Sequence, residues 1–451
     1  MSTPDTDLSS ESLEEDASQI NDGDIDAGEI AVGVIIGRTS EFFDFFVYAI
    51  ASVVVFPRLI FPHLDPMQGM AWSFAVFALA FVARPFGTAF FISIDRRFGR
   101  GARLTLALLL LGTSTVCIAF VPSHALVGAW SVAFLALFRM GQGVALGGAW
   151  DGLPSLLALS APPHRRGWYA MVPQLGAPIG LIVASSLFAY LLASLSAADF
   201  LDWGWRYPFF CAFAINVVAL FARLRIVVTP TFQALFDTRE LQPTPVLQAI
   251  REEGPRIVIG AFAPLASFAM FHMVTVFPLT WVFLYTRESP SRFLLIEIAA
   301  AVAGILAIMA SGWLADRYGR RRVLGGTAVA IAAFSGFAPQ LLDGGSGGEL
   351  AFMLSGFVLL GLAFGQASGT IASSFSQRNR YTASALTSDM AWLFGAGFAP
   401  LAALLLADRW GLVASGLYLL SGALVTLIAL WLNSALGQGS LPNRRQPAAE
   451  D

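Results

Sequence analysis

Apolar stretches of about 20 residues recur about twelve times along this chain, and short polar segments separate them. A helix of about 20 apolar residues crosses the roughly 30 Å hydrocarbon layer of a bilayer. The composition agrees, because 56% of the 451 residues are hydrophobic and only 13% are charged, far from the balance of soluble domains. The sequence therefore predicts an all-α membrane protein with about twelve transmembrane helices and the lipid bilayer as its surroundings.

An internal repeat relates the two halves of the chain. The strings DRRFGR and DRYGRRR place Gly99 and Gly319 at equivalent positions 220 residues apart. Two glycine–glutamine strings place Gln142 and Gln366 at a similar separation of 224 residues. Two matches at nearly one offset indicate a duplicated bundle, which is how secondary transporters build a cavity that can face either side of a membrane. We therefore expect two pseudo-symmetric bundles of six helices.

The positions of the spans divide the chain into five segments. They are a disordered acidic tail (residues 1–30), an N-terminal six-helix bundle (31–227), a linker (228–254), a C-terminal six-helix bundle (255–436) and a second tail (437–451). The linker has the apolar spacing of short amphipathic surface helices, with a plain tether as the alternative. Most arginines lie in alternate loops, so the positive-inside rule predicts that both tails and the linker are cytoplasmic.

Charged side chains inside the spans are the first candidates for function, because an ionised group at membrane depth is costly unless it is paired or solvated. The first span carries Arg38, Glu41 and Asp44 at three-residue steps, with Tyr48 one turn further on. All four share a stripe of the helix that must face the bundle interior. Burial favours a protonated carboxyl at Asp44, which predicts a proton-coupling site. An Arg38–Glu41 ion pair that only holds the bundle together is the alternative.

Arg84 in the second span and Arg139 in the fourth are permanently charged, so within a cavity they suit the carboxylate of a substrate. The alternative is that they pair with Asp44, Glu41 or Asp151.

Three further ionisable residues lie in later spans. His272, in the seventh, titrates near neutrality and is a candidate proton relay, whereas a core histidine bonded to the backbone is the alternative. Glu297 in the eighth span and Asp389 in the eleventh lack partners in sequence terms.

Signals for chemistry are absent from the sequence. Cys117 and Cys211 fall inside predicted spans and are interpreted as small core residues. Zinc-type ligand clusters, a Gly-x-Ser-x-Gly elbow and an HExxH string are all missing, so we predict neither an enzyme nor a cofactor or metal. A membrane sensor that does not transport is a further alternative, although the short termini leave little room for a signalling domain.

Several motifs resemble those of the metabolite:proton symporter family of the major facilitator superfamily, which contains carriers for α-ketoglutarate, citrate, shikimate and proline or betaine. The resemblance runs from about residue 33 to about residue 407 and rests on GRTSEFFDF from Gly37, ARPFG around Arg84, RMGQGVALGG from Arg139, APPHRRG followed by QLGAPIG, and WGWRYPFF from Trp203. The last string is the most specific of these.

The resemblance implies the major facilitator fold, a central cavity at mid-membrane and alternating access. It also implies a cytoplasmic gate, in which Asp316 of the second hairpin interacts with a helix start and with arginines. The gating candidates are Asp95, Arg100, Asp316, Arg317 and Arg320. An alternative is that these arginines only set the topology.

Two departures from the family pattern stand out. The first hairpin is shifted by one position around Asp95, which predicts a weaker latch than that of the second hairpin. Related carriers have Glu where this chain has Ala149, and Asp151 lies two residues later on a different helical face. Asp151 replaces that Glu only if the helix unwinds locally.

We therefore predict a bacterial inner-membrane carrier, monomeric and without nucleic-acid partners, that couples the uptake of a small carboxylate or zwitterionic metabolite to protons. The proton-coupling candidates are Asp44, Glu41 and Asp151, and the substrate-binding candidates are Arg38, Arg84, Arg139, Gln142, Tyr48, His272 and Asp389. Proton-exchanging efflux of amphiphilic compounds is the alternative, suggested by the high phenylalanine content and a GAPIG turn.

Overall fold

The computed structural model describes residues 27–149, 157, 161–227, 242–367, 375–376 and 378–439. Every regular element within these ranges is a helix, which confirms the predicted all-α fold. The acidic tail up to residue 26, the linker residues 228–241 and Asp151 lie outside the described residues. The domain boundaries drawn from the sequence remain predictions.

Five long helices form the first half of the chain. They are α1 (Ala27–Val54), α2 (Pro66–Ala119), α3 (Trp130–Gly148), α4 (Gly176–Ser194) and α5 (Tyr207–Val227). Short helices between them span Phe56–Leu59, His124–Val127, Pro163–Arg165, Arg166–Met171, Val172–Leu175, Ala197–Asp202 and Gly204–Arg206.

Nine helices longer than eight residues form the described part of the second half. They are α6 (Val246–Phe262), α7 (Leu265–Thr275), α8 (Phe277–Tyr285), α9 (Pro290–Tyr318), α10 (Arg320–Ser335), α11 (Gly345–Phe364), α12 (Arg380–Ala391), α13 (Ala399–Trp410) and α14 (Ser415–Gly439). A π-helical turn, Trp392–Gly397, joins α12 to α13, and short helices span Ala338–Leu342 and Leu412–Ala414.

The two glycines of the repeat make equivalent sharp turns. Gly99 has φ 83° and divides α2 into two limbs, residues 66–98 and 100–119. Gly319 has φ 87° and separates α9 from α10. A positive φ is readily adopted only by glycine, so the repeat in the sequence corresponds to a repeated hairpin. If the two limbs of α2 are counted separately, the described helices form six predicted membrane spans before residues 228–241 and six after them.

Nine of the described helical segments are long and apolar enough to cross a membrane. The count is lower than twelve because α2 is continuous through two crossings, α1 carries several charged residues, and α10 has only 16 residues. Within the described residues, each of the twelve predicted spans thus contains helix.

Glycines allow the helices of the first bundle to pack closely. A Cβ on Gly143 of α3 would collide with the backbone of Ala80 in α2, and one on Gly147 would collide with the backbone of Arg84. This agrees with the close approach expected of glycines at four-residue spacing. The packing fixes α3 against the first limb of α2, and so it fixes the position of the arginine that α3 carries.

The two bundles meet along two seams. In one seam α4 packs against α9, and in the other the first limb of α2 packs against α12, the π-turn and α13. Between the seams lies a cluster of aromatic side chains from both bundles, including Phe42 and Phe45 of α1, Phe271 of α7 and Trp392 of the π-turn. This cluster lies directly beside the candidate site.

Candidate substrate and proton site between the bundles

A small cavity lies where α1, α2 and α3 face Trp392. Three arginines and one carboxylate share its wall with aromatic and aliphatic side chains. The lining residues are Arg38, Glu41, Phe42, Phe45, Ala80, Phe81, Arg84, Arg139, Leu146 and Trp392. Four of the predicted site residues therefore border one cavity, which is the arrangement expected of a binding site.

Arg139 is the most unusual residue of this cavity. Its Nε donates a hydrogen bond to the carbonyl of Phe77 at 3.2 Å, and its Nη1 donates to Oε1 of Gln142 at 2.9 Å. Its Nη2 is buried without a hydrogen-bond partner among the described residues. The guanidinium carbon lies 3.8 Å from the ring centre of Tyr48, a cation–π contact. Neutral partners thus hold the Arg139 guanidinium, and its Nη2 remains available to an anion.

Asp44 lies behind Arg139 within the first bundle. The hydroxyl of Thr115 donates to Oδ1 of Asp44 at 2.6 Å, and Nε2 of Gln142 donates to the Thr115 hydroxyl at 2.8 Å and to Oδ2 of Asp44 at 3.4 Å. Gln142 therefore connects Arg139 to Asp44. The Asp44 residue is only 3% exposed and does not line the cavity, so the expected stripe borders the cavity at Arg38 and Glu41 but not at Asp44.

Glu41 is held between two arginines. Its Oε2 accepts from Nη1 of Arg38 at 2.6 Å and its Oε1 from Nη2 of Arg223 at 2.7 Å. The structure thus contains the ion pair that was the alternative for Arg38 and Glu41, extended by a third residue. Sequence reasoning assigned Arg223 to topology alone, because it lies close to the arginine-rich linker.

Arg84 pairs with Asp389 in the opposite bundle, with Nε and Oδ1 2.7 Å apart. The hydroxyl of Thr88 also donates to Asp389. Neither Asp44 nor Glu41 is the partner of Arg84. This three-residue contact, the Arg84–Asp389 bridge, joins the two bundles directly. No sequence signal pointed to Thr88.

His272 lies in the aromatic cluster and not on the cavity wall. Its ring stacks on Phe45 with centroids 5.4 Å apart and meets Phe77 edge-on at the same distance. The residue is fully buried, and both ring nitrogens lack a hydrogen-bond partner among the described residues. The alternative drawn from the sequence, a core histidine hydrogen-bonded to the backbone, is therefore wrong about the hydrogen bond. Its apolar surroundings are as expected.

The second arginine hairpin contacts the first bundle at the arginine-rich end of the molecule. Oδ1 of Asp316 accepts from the backbone N–H of Gly167 at 2.6 Å, and Oδ2 accepts from that of Trp168 at 3.0 Å. These amides open the short helix before α4, so the contact also benefits from the helix dipole. Nη2 of Arg320 donates to the carbonyl of Arg166 at 3.4 Å. Asp316 and Arg320 thus contact a helix start in the first bundle, and their gating role stays a prediction.

The first hairpin makes a different contact. Asp95 pairs with Arg103 at 3.0 Å, and Arg103 donates to the hydroxyl of Tyr381 on α12. The guanidinium of Arg100 lies 5.7 Å from the Tyr381 ring. The fifth gating candidate, Arg317, lies against Trp313 and Tyr318 of its own helix.

Two six-helix bundles related by a sequence repeat, with a charged cavity at their interface, define a membrane transporter. The chain belongs to the Major Facilitator Superfamily, whose sequence profile matches residues 39–400. Its relatives are transporters, not enzymes, and they confirm the resemblance to the metabolite:proton symporters.

The chain is 36% identical over 422 residues to the inner membrane metabolite transport protein YhjE of Escherichia coli, covering 92% of this chain and 95% of that protein. It is 30% identical to the shikimate transporter of the same species, covering 90% and 94% of the two chains. The E. coli proline/betaine transporter is 28% identical, with coverage of 92% and 84%. The fold matches that of the proton:xylose symporter XylE with a TM-score of 0.68 at 19% identity, covering 91% of this chain and 95% of XylE.

Proposed function

We propose that this protein is a monomeric, proton-coupled symporter that takes up a small carboxylate or zwitterionic metabolite by alternating access. The arginine-rich end, with both termini, faces the cytoplasm, in keeping with the positive-inside rule. The observation that carries the proposal is Arg139, a buried cation on the cavity wall with no carboxylate partner among the described residues.

The charges of the cavity favour an anionic group. Arg38, Arg84 and Arg139 face Glu41 as the one carboxylate on the wall. Arg38 and Glu41 neutralise each other and Arg84 is engaged by Asp389, so Arg139 is the arginine of the wall without a direct ion pair among the described residues. A planar guanidinium binds a carboxylate through paired hydrogen bonds. The aromatic wall suits the apolar or cationic remainder of such a substrate, and the names of the shikimate and proline/betaine relatives agree with both options.

The link from Arg139 to Asp44 supports coupling to protons. A substrate carboxylate on Arg139 competes with Gln142 for the guanidinium, and Gln142 and Thr115 also donate to Asp44. Rearrangement of these donors changes how well the ionised form of Asp44 is stabilised. Substrate binding and proton binding are therefore expected to influence each other, as a symporter requires.

The proposal is tested by transport into proteoliposomes with an imposed pH gradient. We expect labelled carboxylates or betaines to accumulate on the side toward which protons flow, and dissipation of the gradient to abolish accumulation. Failure of every labelled organic acid, betaine and amino acid to accumulate would contradict it.

A second candidate function is efflux of amphiphilic compounds in exchange for protons. The aromatic rings of Phe42, Phe45, Phe81 and Trp392 on the cavity wall favour it. The same vesicles distinguish the two functions, because a symporter moves substrate with the proton flow and an exchanger moves it against that flow.

A further inference from the structure

A second carboxyl is buried in the seam between the bundles. Glu297 lies on α9 about two turns after the helix begins at Pro290, and it is fully buried. Its Oε2 accepts from the hydroxyl of Ser185 on α4 at 3.0 Å. Its Oε1 has no hydrogen-bond partner among the described residues. The Glu297 carboxyl thus has one hydrogen-bond partner among the described residues, a neutral hydroxyl from the opposite bundle.

No cation pairs with Glu297 among the described residues. The helices that pack against α9 carry Tyr190 on α4, Tyr285 on α8 and Glu349 on α11. Glu288 and Arg292 lie at the start of α9, where Arg58 lines a pocket together with Glu288 and Pro290. Arg292 pairs with Glu288 at 2.9 Å, and both tyrosines are largely exposed. The charges of α10 and of the helix Arg166–Met171 lie at the other end of α9, where Gly167 contacts Ala315.

The protonation of Glu297 therefore depends on whether the seam is closed. An ionised carboxylate buried without a counter-charge is strongly disfavoured, whereas a protonated carboxyl is neutral and can be buried with its single hydrogen bond. When α4 and α9 separate at this end, water reaches the carboxyl and the penalty on its ionised form disappears. Proton binding and closure of this end of the seam are thus linked.

The same seam carries the Asp316 contact at its other end. There, an aspartate bonds the amides of Gly167 and Trp168, which stabilise the ionised form. α9 thus carries two carboxyls that face the first bundle. Asp316, at the arginine-rich end, has donors that suit an ionised group, whereas Glu297, about two turns from the opposite end, has surroundings that suit a neutral one.

We propose that Glu297 is a second proton-binding group of this transporter, and that a proton taken up there closes the face opposite the arginine-rich end. The inference rests on the proposed function, which supplies the direction of proton entry. Glu297 binds its proton from the outer side as the outer gate closes and returns it to that side when the gate reopens. It therefore sets the balance of the outer gate, while Asp44 carries the coupled proton.

The test measures the outer gate directly, without substrate or a gradient. Spin labels are attached to Ala198→Cys and Arg287→Cys, exposed positions at the outer ends of the two bundles, in a chain in which Cys117 and Cys211 are replaced by Ala. Pulsed dipolar distances are recorded from about pH 5 to 9 in lipid nanodiscs. We expect the longer-distance population to grow with pH in the parent chain. In Glu297→Gln it should stay roughly tenfold smaller at the highest pH.

A matched variant isolates the carboxyl of Glu297. Glu349→Gln makes the same change at another buried glutamate and should keep the pH-dependent distances. A Glu297→Gln chain that follows the parent distances at every pH would overturn the inference.

An infrared measurement guards against a misfolded variant. The folded parent chain should show a protonated-carboxyl stretch that titrates with the distance change and is absent from Glu297→Gln. If the distances and this band behave as expected but no gradient drives uptake, the proposed function fails while the assignment of Glu297 stands. If uptake is gradient-driven but the parent distances do not depend on pH, the assignment of Glu297 fails alone.

Discussion

At the scale of single residues, two arginines that look equivalent in the sequence have different surroundings. The guanidinium of Arg84 pairs with the carboxylate of Asp389 in the other bundle. The guanidinium of Arg139 contacts a backbone carbonyl, the amide of Gln142 and the ring of Tyr48. An arginine already paired with a carboxylate offers little to an incoming anion. This difference assigns Arg84 to the joining of the bundles and leaves Arg139 as the residue for the substrate.

Arg139→Lys tests that assignment. Lysine keeps the charge but loses the planar fork, and a hydrogen bond to a charged group contributes about 1.5–3 kcal/mol. We expect the apparent KM for uptake to rise about tenfold or more, with normal expression. Arg317→Lys, an exposed change of the same kind, is the control. Unaltered KM in Arg139→Lys would return Arg139 to a scaffolding role.

Asp44→Asn tests the proton-coupling role. Asparagine keeps the shape of the side chain and can still accept from Thr115, but it cannot bind a proton. We expect pH-gradient-driven accumulation to disappear while exchange of preloaded substrate continues, both measured in the same proteoliposomes. Asp343→Asn, at an exposed loop position, should behave like the parent chain. Normal accumulation by Asp44→Asn would remove Asp44 from the coupling mechanism.

Sequence reasoning found the chemical types of the site but not their pairings. The three-residue steps from Arg38 to Asp44 correctly indicated one interior stripe, because helix geometry alone sets it. The partners Thr115, Arg223 and Ser185 come from other helices. Their contacts depend on how each helix is rotated in the bundle, which the hydropathy of a span leaves open.

At the scale of helices, close packing of α2 and α3 positions Arg139. Gly143→Ala would place a Cβ against the backbone of Ala80, and overpacking of this kind costs about 1–3 kcal/mol. We expect a lower thermal unfolding midpoint in detergent. Gly326→Ala is the matched control, because nothing lies within 4 Å of the added carbon. Equal midpoints for the two variants would show that α2 and α3 can separate without cost.

The start of α6 is fastened to the start of α12 by two carboxylates. Glu252 accepts from Nδ2 of Asn379 at 2.6 Å, and Glu253 accepts from the N–H of Ser376 at 3.2 Å. The hydrogen bond from Asn379 holds the pKa of Glu252 below its usual 4.5. Burial opposes ionisation of Glu253, but the bonds from Ser376 and Arg256 outweigh it, so the pKa of Glu253 is also lowered.

This fastening should therefore depend on pH. A carboxyl with a lowered folded pKa stabilises the contact fully above its unfolded value, and the stabilisation is lost as pH falls through the folded value. We expect amide hydrogen exchange at the start of α6, corrected for intrinsic rates, to be slow at neutral pH and to accelerate below about pH 4. In Glu252→Gln/Glu253→Gln the corrected rates should change little with pH. Equal pH dependence in both chains would contradict the assignment.

The helices themselves were largely predictable from the sequence. Each of the twelve predicted spans contains helix in its described part, because an apolar run of membrane length has few other structures available in lipid. The first helix starts at Ala27, a few residues before the predicted span. Hydropathy could not predict that α2 continues through its hairpin or that a π-turn precedes α13. Both are backbone adjustments within otherwise helical segments.

At the scale of the whole molecule, the arginine-rich end is closed by contacts between bundles. The Arg84–Asp389 bridge, Asp316 with the helix before α4, and Arg103 with Tyr381 all cross from one bundle to the other. The repeat in the sequence predicted two bundles and two hairpins. It could not predict that the bundles are closed at this end, because the same chain must also populate an open arrangement to transport.

Asp389→Asn should shift the balance toward opening at this end. Loss of the buried ion pair leaves Arg84 without its carboxylate, and a shift of about 1–2 kcal/mol changes the population ratio about 5- to 30-fold. We expect a cysteine at the cavity residue Leu146 to react correspondingly faster with an impermeant maleimide added from the arginine-rich side. Arg317→Ala, which removes no contact between the bundles among the described residues, should leave the rate unchanged.

The two hairpins differ in how readily mutation can disable them. Asp316 accepts hydrogen bonds from main-chain amides, and every amino acid except proline supplies such an amide. A change at Trp168 therefore leaves its donor in place, whereas a Cβ on Gly167 would lie only 2.8 Å from Oδ1 of Asp316. The hairpin of Asp95 reaches across through a phenol, which one nucleotide change in the Tyr381 codon can delete. On the partner side, a side-chain substitution can therefore remove the first closure outright, whereas at the second closure it acts only through the space around Gly167.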